Sequence, residues 1–343
     1  MNTHTLLRRL VLLGMLLCLG VVVLGAYVRL TDAGLGCPDW PGCYGHVTPA
    51  GALANEGGAE ARFPGWELDS GKAWREMIHR YAATTLGFII ALIAAIAIVY
   101  RGQRLVSVRF ALALLATVVV QGLLGAFTVW WLVKPLVVVL HLMGGLTTLS
   151  LLFWLWMDLR DPARQPVTAA VPLHLAARRA AVLATCVLGM QIVLGGWTSS
   201  NYAATACPDL PTCQNAWWPA DMDWSDAFVL WRGLDIDYTG GVLEHPARVA
   251  IHFAHRIGAV LATLAVLWAA WLALQAALAD GGRARGVRLG AQLAIAALIL
   301  QILIGVFMVL QAFPLTLAAG HNGGAAVLLL AMLNLNWQLR RAA

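Results

Sequence analysis

Along this chain the apolar residues neither alternate nor recur on one face. They run almost unbroken for about 20 positions at a time, the length an α-helix needs to cross a hydrocarbon core. Eight such runs predict eight transmembrane helices, at 10–28, 77–100, 110–132, 136–157, 180–199, 249–278, 289–311 and 316–338. The polar residues gather between them, most of all in two long stretches after the first and fifth runs. The first run follows Arg8 and Arg9, as the apolar stretch of a signal peptide would. It is long, however, and no small-residue cleavage site precedes Arg29, so it reads as a retained helix.

Composition strengthens this picture. Of the 343 residues 60% are hydrophobic and 12% charged, against about 25% charged in a soluble domain, which excludes a water-soluble core. The net charge of +6 raises the question of a polyanionic partner, and the placing of the charges answers it. Arg8, Arg9, Arg101, Arg104, Arg109, Arg160, Arg164, Arg178, Arg179, Arg283, Arg285, Arg288, Arg340 and Arg341 fall on the side that holds both termini. They face only Asp158, Asp161 and Asp280 there. By the positive-inside rule both termini are cytoplasmic, and the basic excess orients the chain in the bilayer instead of recruiting nucleic acid.

The chain also repeats itself. Gly25 precedes Cys37 by twelve positions, as Gly195 precedes Cys207, and Cys37-Pro38-Asp39-Trp40-Pro41-Gly42-Cys43 matches Cys207-Pro208-Asp209-Leu210-Pro211-Thr212-Cys213. His79-Arg80 matches His255-Arg256, and Gln121, Gly125 and His141 keep the spacings of Gln301, Gly305 and His321. Several motifs at matched spacings define an internal repeat. Each copy has four helices, an even number, so both enter the membrane alike and pack as parallel repeats about an axis along the membrane normal. The expected fold is thus an all-α polytopic membrane protein made of two tandem four-helix bundles with pseudo-two-fold symmetry. Its divisions are 1–157, a cytoplasmic linker at 158–179 rich in Arg, Pro and Ala, and 180–343.

Ionisable residues inside a bilayer are costly and mark function by default. Of nine histidines, His4 and His174 fall in cytoplasmic segments and His46 and His245 in outer loops, where a solvated or interfacial role suffices. His79, His141, His255 and His321 lie near the outer ends of the second and fourth helix of each half, at similar depth. One histidine from each of two helices can supply both axial positions of a haem; the alternative is interhelical hydrogen bonding. A non-haem metal is less attractive, since no carboxylate–histidine cluster completes a four-ligand set. Arg80 and Arg256 are candidate propionate contacts, or snorkel to headgroups. Gly144 and Gly145, like Gly323 and Gly324, admit a flat macrocycle or a neighbouring helix.

The halves differ at one informative position: Glu76 stands three residues before His79, where His252 stands before His255. Residues at i and i+3 share a helix face. A carboxylate therefore lies beside the first histidine pair, able to take a proton or stabilise developing positive charge, unless it only caps a helix N-terminus. One site reads as reactive and the other as electron-carrying. Cys37 with Cys43 and Cys207 with Cys213 are expected to form short disulfides if the exterior is oxidising. Zinc binding by these four with His46, or a redox relay, are the alternatives. Cys18 and Cys186 read as small packing residues, and Trp130, Trp131, Trp217 and Trp218 as an aromatic belt.

Taken together, the segments Gly36–Cys43, Glu76–Arg80 and Ala206–Cys213, with Trp217-Trp218-Pro219 and Met222-Asp223, resemble the haem A synthase family over nearly the whole chain. The resemblance implies an inner-membrane oxidoreductase that converts the ring methyl of haem O to the formyl of haem A for terminal cytochrome oxidases. It implies that His79 and His141 flank the substrate haem O with Glu76 as catalytic carboxylate. His255 and His321 would hold a resident haem b, and the cysteine pairs would be structural disulfides. A haem O synthase as donor and the oxidase assembly machinery as recipient follow from the same resemblance. No role for His252 follows. The main rival is a non-catalytic dihaem b-type electron carrier, and a haem exporter or chaperone comes third.

Overall fold

A computed structural model describes residues 2–160, 171–280 and 284–342. Asp161, Arg164 and Arg283, and positions 161–170 of the expected linker, lie outside the described residues. Eight long helices carry the fold: α1 (Thr3–Leu30), α2 (Ser70–Val99), α3 (Val108–Trp130), α4 (Pro135–Arg160), α5 (Val171–Ser200), α6 (His245–Ala279), α7 (Arg285–Leu310) and α8 (Leu315–Ala342). All eight are long and apolar enough to cross a membrane, and no strand forms among the described residues. The protein is an all-α polytopic membrane protein.

Several helices overrun the apolar runs that predict them. α2 starts seven positions earlier, at Ser70, because Asp69 caps it: its Oδ1 accepts from Lys72 N at 2.9 Å. Hydropathy marks where a helix leaves lipid, not where its hydrogen bonding stops. Glu76 and His79 consequently sit two to three turns inside a helix, which removes the reading of Glu76 as a helix-end carboxylate. α5 likewise begins at Val171, within the stretch read as linker.

α1 packs on α2 and α4, and α3 closes the ring against the same two; α5 packs on α6 and α8, closed in the same way by α7. The two rings meet where α1 and α4 face α5 and α8. One continuous core runs through both, from Leu7, Ile90, Ile93, Leu149 and Leu152 to Ala270, Ala273, Ala291, Ala294 and Met332. Small residues in the second set let the helices approach closely where lipid offers no hydrophobic drive between them.

Polar ties join the rings at both ends. Trp337 Nε1 and Arg340 Nη2 donate to Asp158 Oδ1 at 2.7 and 3.0 Å. At the other end Arg29 Nη2 donates to Ser199 O at 2.7 Å, and the Tyr202 hydroxyl to Asp32 Oδ1 at 2.6 Å. Lys134, nearly fully buried, donates to Gly233 O and lies 3.5 Å over the Trp231 ring.

The loops after α1 and α5 share one design. Disulfides join Cys37 to Cys43 and Cys207 to Cys213, with Cα atoms 4.8 and 4.7 Å apart. In each loop an aspartate folds the chain back. Asp39 accepts from Tyr44 N and Gly45 N at 2.6 and 2.9 Å, and Asp209 from Gln214 N and Asn215 N at 2.6 and 3.0 Å. The residues so held take positive φ, at Tyr44 and Gly45 and again at Gln214 and Asn215. Glycine and asparagine tolerate that geometry best.

Two expectations need correcting. His174 is only 1% exposed and neither ring nitrogen has a hydrogen-bond partner, so it is neither solvated nor interfacial: the helix that carries it begins before the apolar run and packs inward. Cys186 is exposed on its helix, so it is not a core packing residue; within a uniformly apolar run, periodicity does not say which face turns outward.

Candidate functional site

The rings of His79, on α2, and His141, on α4, stand with centroids 6.4 Å apart and planes at 77°. Two metal–nitrogen bonds of about 2 Å end to end, plus the distance from each nitrogen to its own ring centre, fill such a gap. The Nδ1 atoms of both rings are buried with no hydrogen-bond partner. On the α6–α8 side, His255 and His321 hold the matching positions of the second repeat. Among the described residues no group of three or more His, Cys, Asp or Glu comes together to hold a bare ion. Two imidazoles alone leave a bare ion short of ligands, whereas a macrocycle brings its own four.

Each of the four rings rests on a glycine of the neighbouring helix. A Cβ placed on Gly25 would lie 2.9 Å from His79 Cε1; on Gly125, 3.4 Å from His141 Cε1; on Gly195, 3.1 Å from His255 Cε1; and on Gly305, 3.0 Å from His321 Cε1. These glycines are visible in the sequence only as repeat markers, at constant spacing from their neighbours, and their role as seats for the rings becomes plain in the fold. Gly144 and Gly324, by contrast, are filled by the side chains of Gln121 and Gln301, while Gly145 and Gly323 face Val22 and Val23. Helix packing occupies Gly144, Gly323 and Gly324, whereas Gly145 also borders the space beside the His79–His141 pair.

Between α1, α2, α3 and α4 lies a cavity of about 580 Å³, lined by Glu76, His79, Arg80, Gln121 and His141 and bounded by Trp40 and Pro41 of the first disulfide loop. Its size falls in the range of small-molecule and cofactor sites. Gly196, Ser199 and Asn322 of the other ring complete one wall.

Glu76 is 4% exposed. Its Oε2 accepts from Cys37 N at 2.9 Å, and its Oε1 pairs with Arg80. Arg80 Nη1 donates to the carbonyls of Asp39 (2.9 Å), Pro41 (3.3 Å) and Gly42 (2.6 Å). Arg256 does the same in the second half, Nη1 to Thr212 O at 2.6 Å and Nη2 to Cys207 O at 2.8 Å. Both guanidiniums thus bind a disulfide loop to the helix that carries a candidate ligand. His252, in the place of Glu76, is buried, with Nδ1 3.0 Å from Ala203 O and its ring edge-on to Phe313 at 6.3 Å. Like Glu76, it anchors the chain that enters the loop.

Known proteins similar to this chain share one description. A family model described as COX15-CtaA, cytochrome oxidase assembly protein, matches residues 8–333. A haem A synthase of Shewanella oneidensis is 40% identical over 320 residues, covering 93% of this chain and 92% of its own. Haem A synthases of Rhodospirillum centenum and Rhizorhabdus wittichii are 30% and 29% identical, over 92% and 94% of this chain and 84% and 90% of theirs.

Proposed function

The chain belongs to the COX15-CtaA family of cytochrome oxidase assembly proteins, and from that premise we propose that it is a haem-dependent membrane oxidoreductase that oxidises the ring methyl of haem O to the formyl of haem A for terminal oxidases. The observation that carries the reading is a pair of imidazoles 6.4 Å apart across a cavity that also holds a buried carboxylate. In this reading residues 1–157 form the substrate half, where His79 and His141 hold haem O, and 180–343 the cofactor half, where His255 and His321 hold haem b. The chain sits in the bacterial inner membrane with both termini cytoplasmic and the histidines towards the periplasm, receives haem O from its synthase, and passes haem A to oxidase assembly.

Bound haem supplies the one-electron and oxygen chemistry that no side chain performs on an unactivated methyl. The protein's own part is positioning and charge. His79 and His141, seated on Gly25 and Gly125, would hold the substrate haem. Glu76 presents a carboxylate on the same helix face as His79, with both oxygens already engaged by Cys37 N and Arg80. It is therefore preorganised to stabilise positive charge that develops at the reacting carbon. Trp40, Pro41 and the apolar walls limit water around the reacting group.

The test is expression with a haem O supply, followed by mass analysis of extracted haems. Wild type yields the formyl product. Glu76→Ala retains haem but loses the product, and Glu76→Gln, which keeps an acceptor for Cys37 N, loses it too because the charge is gone. Undiminished product in both variants removes the role given to Glu76. Unchanged haem content in His79→Ala and His255→Ala removes the ligand assignment. An electron carrier, the main alternative, predicts unmodified haems throughout and leaves the buried carboxylate only its structural tie to Cys37 N and Arg80.

A further inference from the structure

Three of the four candidate ligand residues are gripped by a glutamine, and the fourth is not. Gln121 Nε2 donates to the main-chain oxygen of His141 at 2.8 Å, Gln191 Nε2 to that of His255 at 2.9 Å, and Gln301 Nε2 to that of His321 at 3.0 Å. Each glutamine lies four residues before the glycine on which the same ring rests, and its amide fills the space over a second glycine three residues after the histidine: Gly144, Gly258 and Gly324. One helix thus presents Gln-x-x-x-Gly to a partner that presents His-x-x-Gly, three times over. The Oε1 atoms of all three glutamines are buried without a partner. Leaving an acceptor unpaired in an apolar bundle is unfavourable, so the amides are kept for what their nitrogens do: all three hold the ligand residue's own backbone, and Gln191 Nε2 and Gln301 Nε2 also lie 3.0 Å from His255 Nδ1 and 3.3 Å from the His321 ring nitrogens.

At His79 the pattern is broken on both sides. The ring rests on Gly25, but the residue four before that glycine is Val21, and the residue three after the histidine is Ala82. Among the described residues no side-chain amide reaches the His79 carbonyl, and Val21 instead lines the cavity. α2 is held near its outer end by Glu76 and Arg80, through the disulfide loop.

We infer that Gln121, Gln191 and Gln301 are positioning residues that lock three axial ligands in register, and that His79, left unclamped, is the one ligand able to withdraw from an iron and open a coordination position in the substrate half. The inference rests on the histidine pairs holding haem, as proposed above, and adds which bond of the four yields.

Carbon monoxide binds a reduced haem where an axial position falls open, so its rate of uptake reports ligand release independently of turnover. In the full-length, haem-loaded, reduced protein, uptake is expected at one haem, and His79→Ala accelerates it at that same haem. Outer-shell partners of a metal ligand change metal affinity by about 10- to 100-fold. Installing the missing clamp with Val21→Gln and Ala82→Gly should therefore slow uptake about tenfold. Removing a clamp with Gln301→Leu should make the second haem reactive, and Gln121→Leu should speed uptake at the first. An unchanged rate in the double variant with both haems bound, or wild-type uptake through the His255–His321 haem, overturns the inference. Should the double variant fail to fold, Gln301→Leu and Gln121→Leu decide alone, and uptake unmoved in both overturns it equally. Haem content that ignores His79→Ala and His141→Ala together sinks the parent reading instead, a result separable from the rate.

Discussion

A methyl group is enough to decide whether a ring can occupy its seat in this protein. A Cβ on Gly195 would stand 3.1 Å from His255 Cε1, so the ring would have to give by a few tenths of an ångström. Gly195→Ala is therefore expected to tilt the imidazole and, in the proposed reading, loosen the haem assigned to His255 while the helices remain folded, a loss read as haem absorbance per protein after detergent extraction; full retention refutes the seat. A second residue-scale expectation concerns Asp209. The Thr212 hydroxyl first, then the N–H groups of Asn215 and Gln214, hold its carboxyl below the usual 3.8. A depressed folded value means that its support of the loop is fully present above 3.8 and disappears as pH falls through the lower value. Hydrogen exchange in residues 207–216 should rise in that acid window, and Asp209→Asn should flatten the dependence. At this scale the sequence pointed to the histidines, to Glu76 and to the cysteines through repeat spacing. It was silent on what the arginines touch: Arg80 and Arg256 look alike whether they reach a propionate, a headgroup or a loop carbonyl, because only the folded loop brings those carbonyls near.

At the scale of helices and loops, the eight apolar runs correspond to eight helices, since in lipid a backbone must satisfy its own hydrogen bonds and has few other forms to take. The ends were less legible. α2 gains its first two turns from Asp69 capping Lys72 N, a signal that hydropathy averages away, and those turns change the environment of Glu76. The disulfide loops behave as part of the helices they touch. Arg256 supplies two hydrogen bonds to the loop that contains Cys207 and Cys213, each worth about 1 kcal/mol net. In Arg256→Ala the loop should lift, and its disulfide should be reduced faster by an external thiol than in wild type. Equal reduction rates would show that the loop stands without the arginine.

Across the whole molecule, a repeat of four helices explains why the two rings close in the same order, and that order was readable from matched spacings. How the rings meet was not, because contacts between apolar helices leave only small residues and isolated polar ties as traces. Lys134 is such a tie: a buried cation from the α3–α4 turn that captures Gly233 of the loop before α6. Lys134→Met should release that loop, seen as faster proteolysis between residues 229 and 241, with haem content unchanged. Proteolysis at the wild-type rate would assign the loop's position to its aromatic contacts and to the hydrogen bond from Tyr238 N to Leu132 O.

The chamber beside Glu76 borrows a wall, for Gly196, Ser199 and Asn322 belong to the other ring. A gene cut back to its first repeat would encode both imidazoles and the carboxylate yet leave the chamber breached on one flank. Duplication here did more than add a second pair of histidines, because the later copy became masonry for the earlier one. Shortening the chain to its first four helices is therefore closed as an engineering route unless a substitute surface is built against α1 and α4.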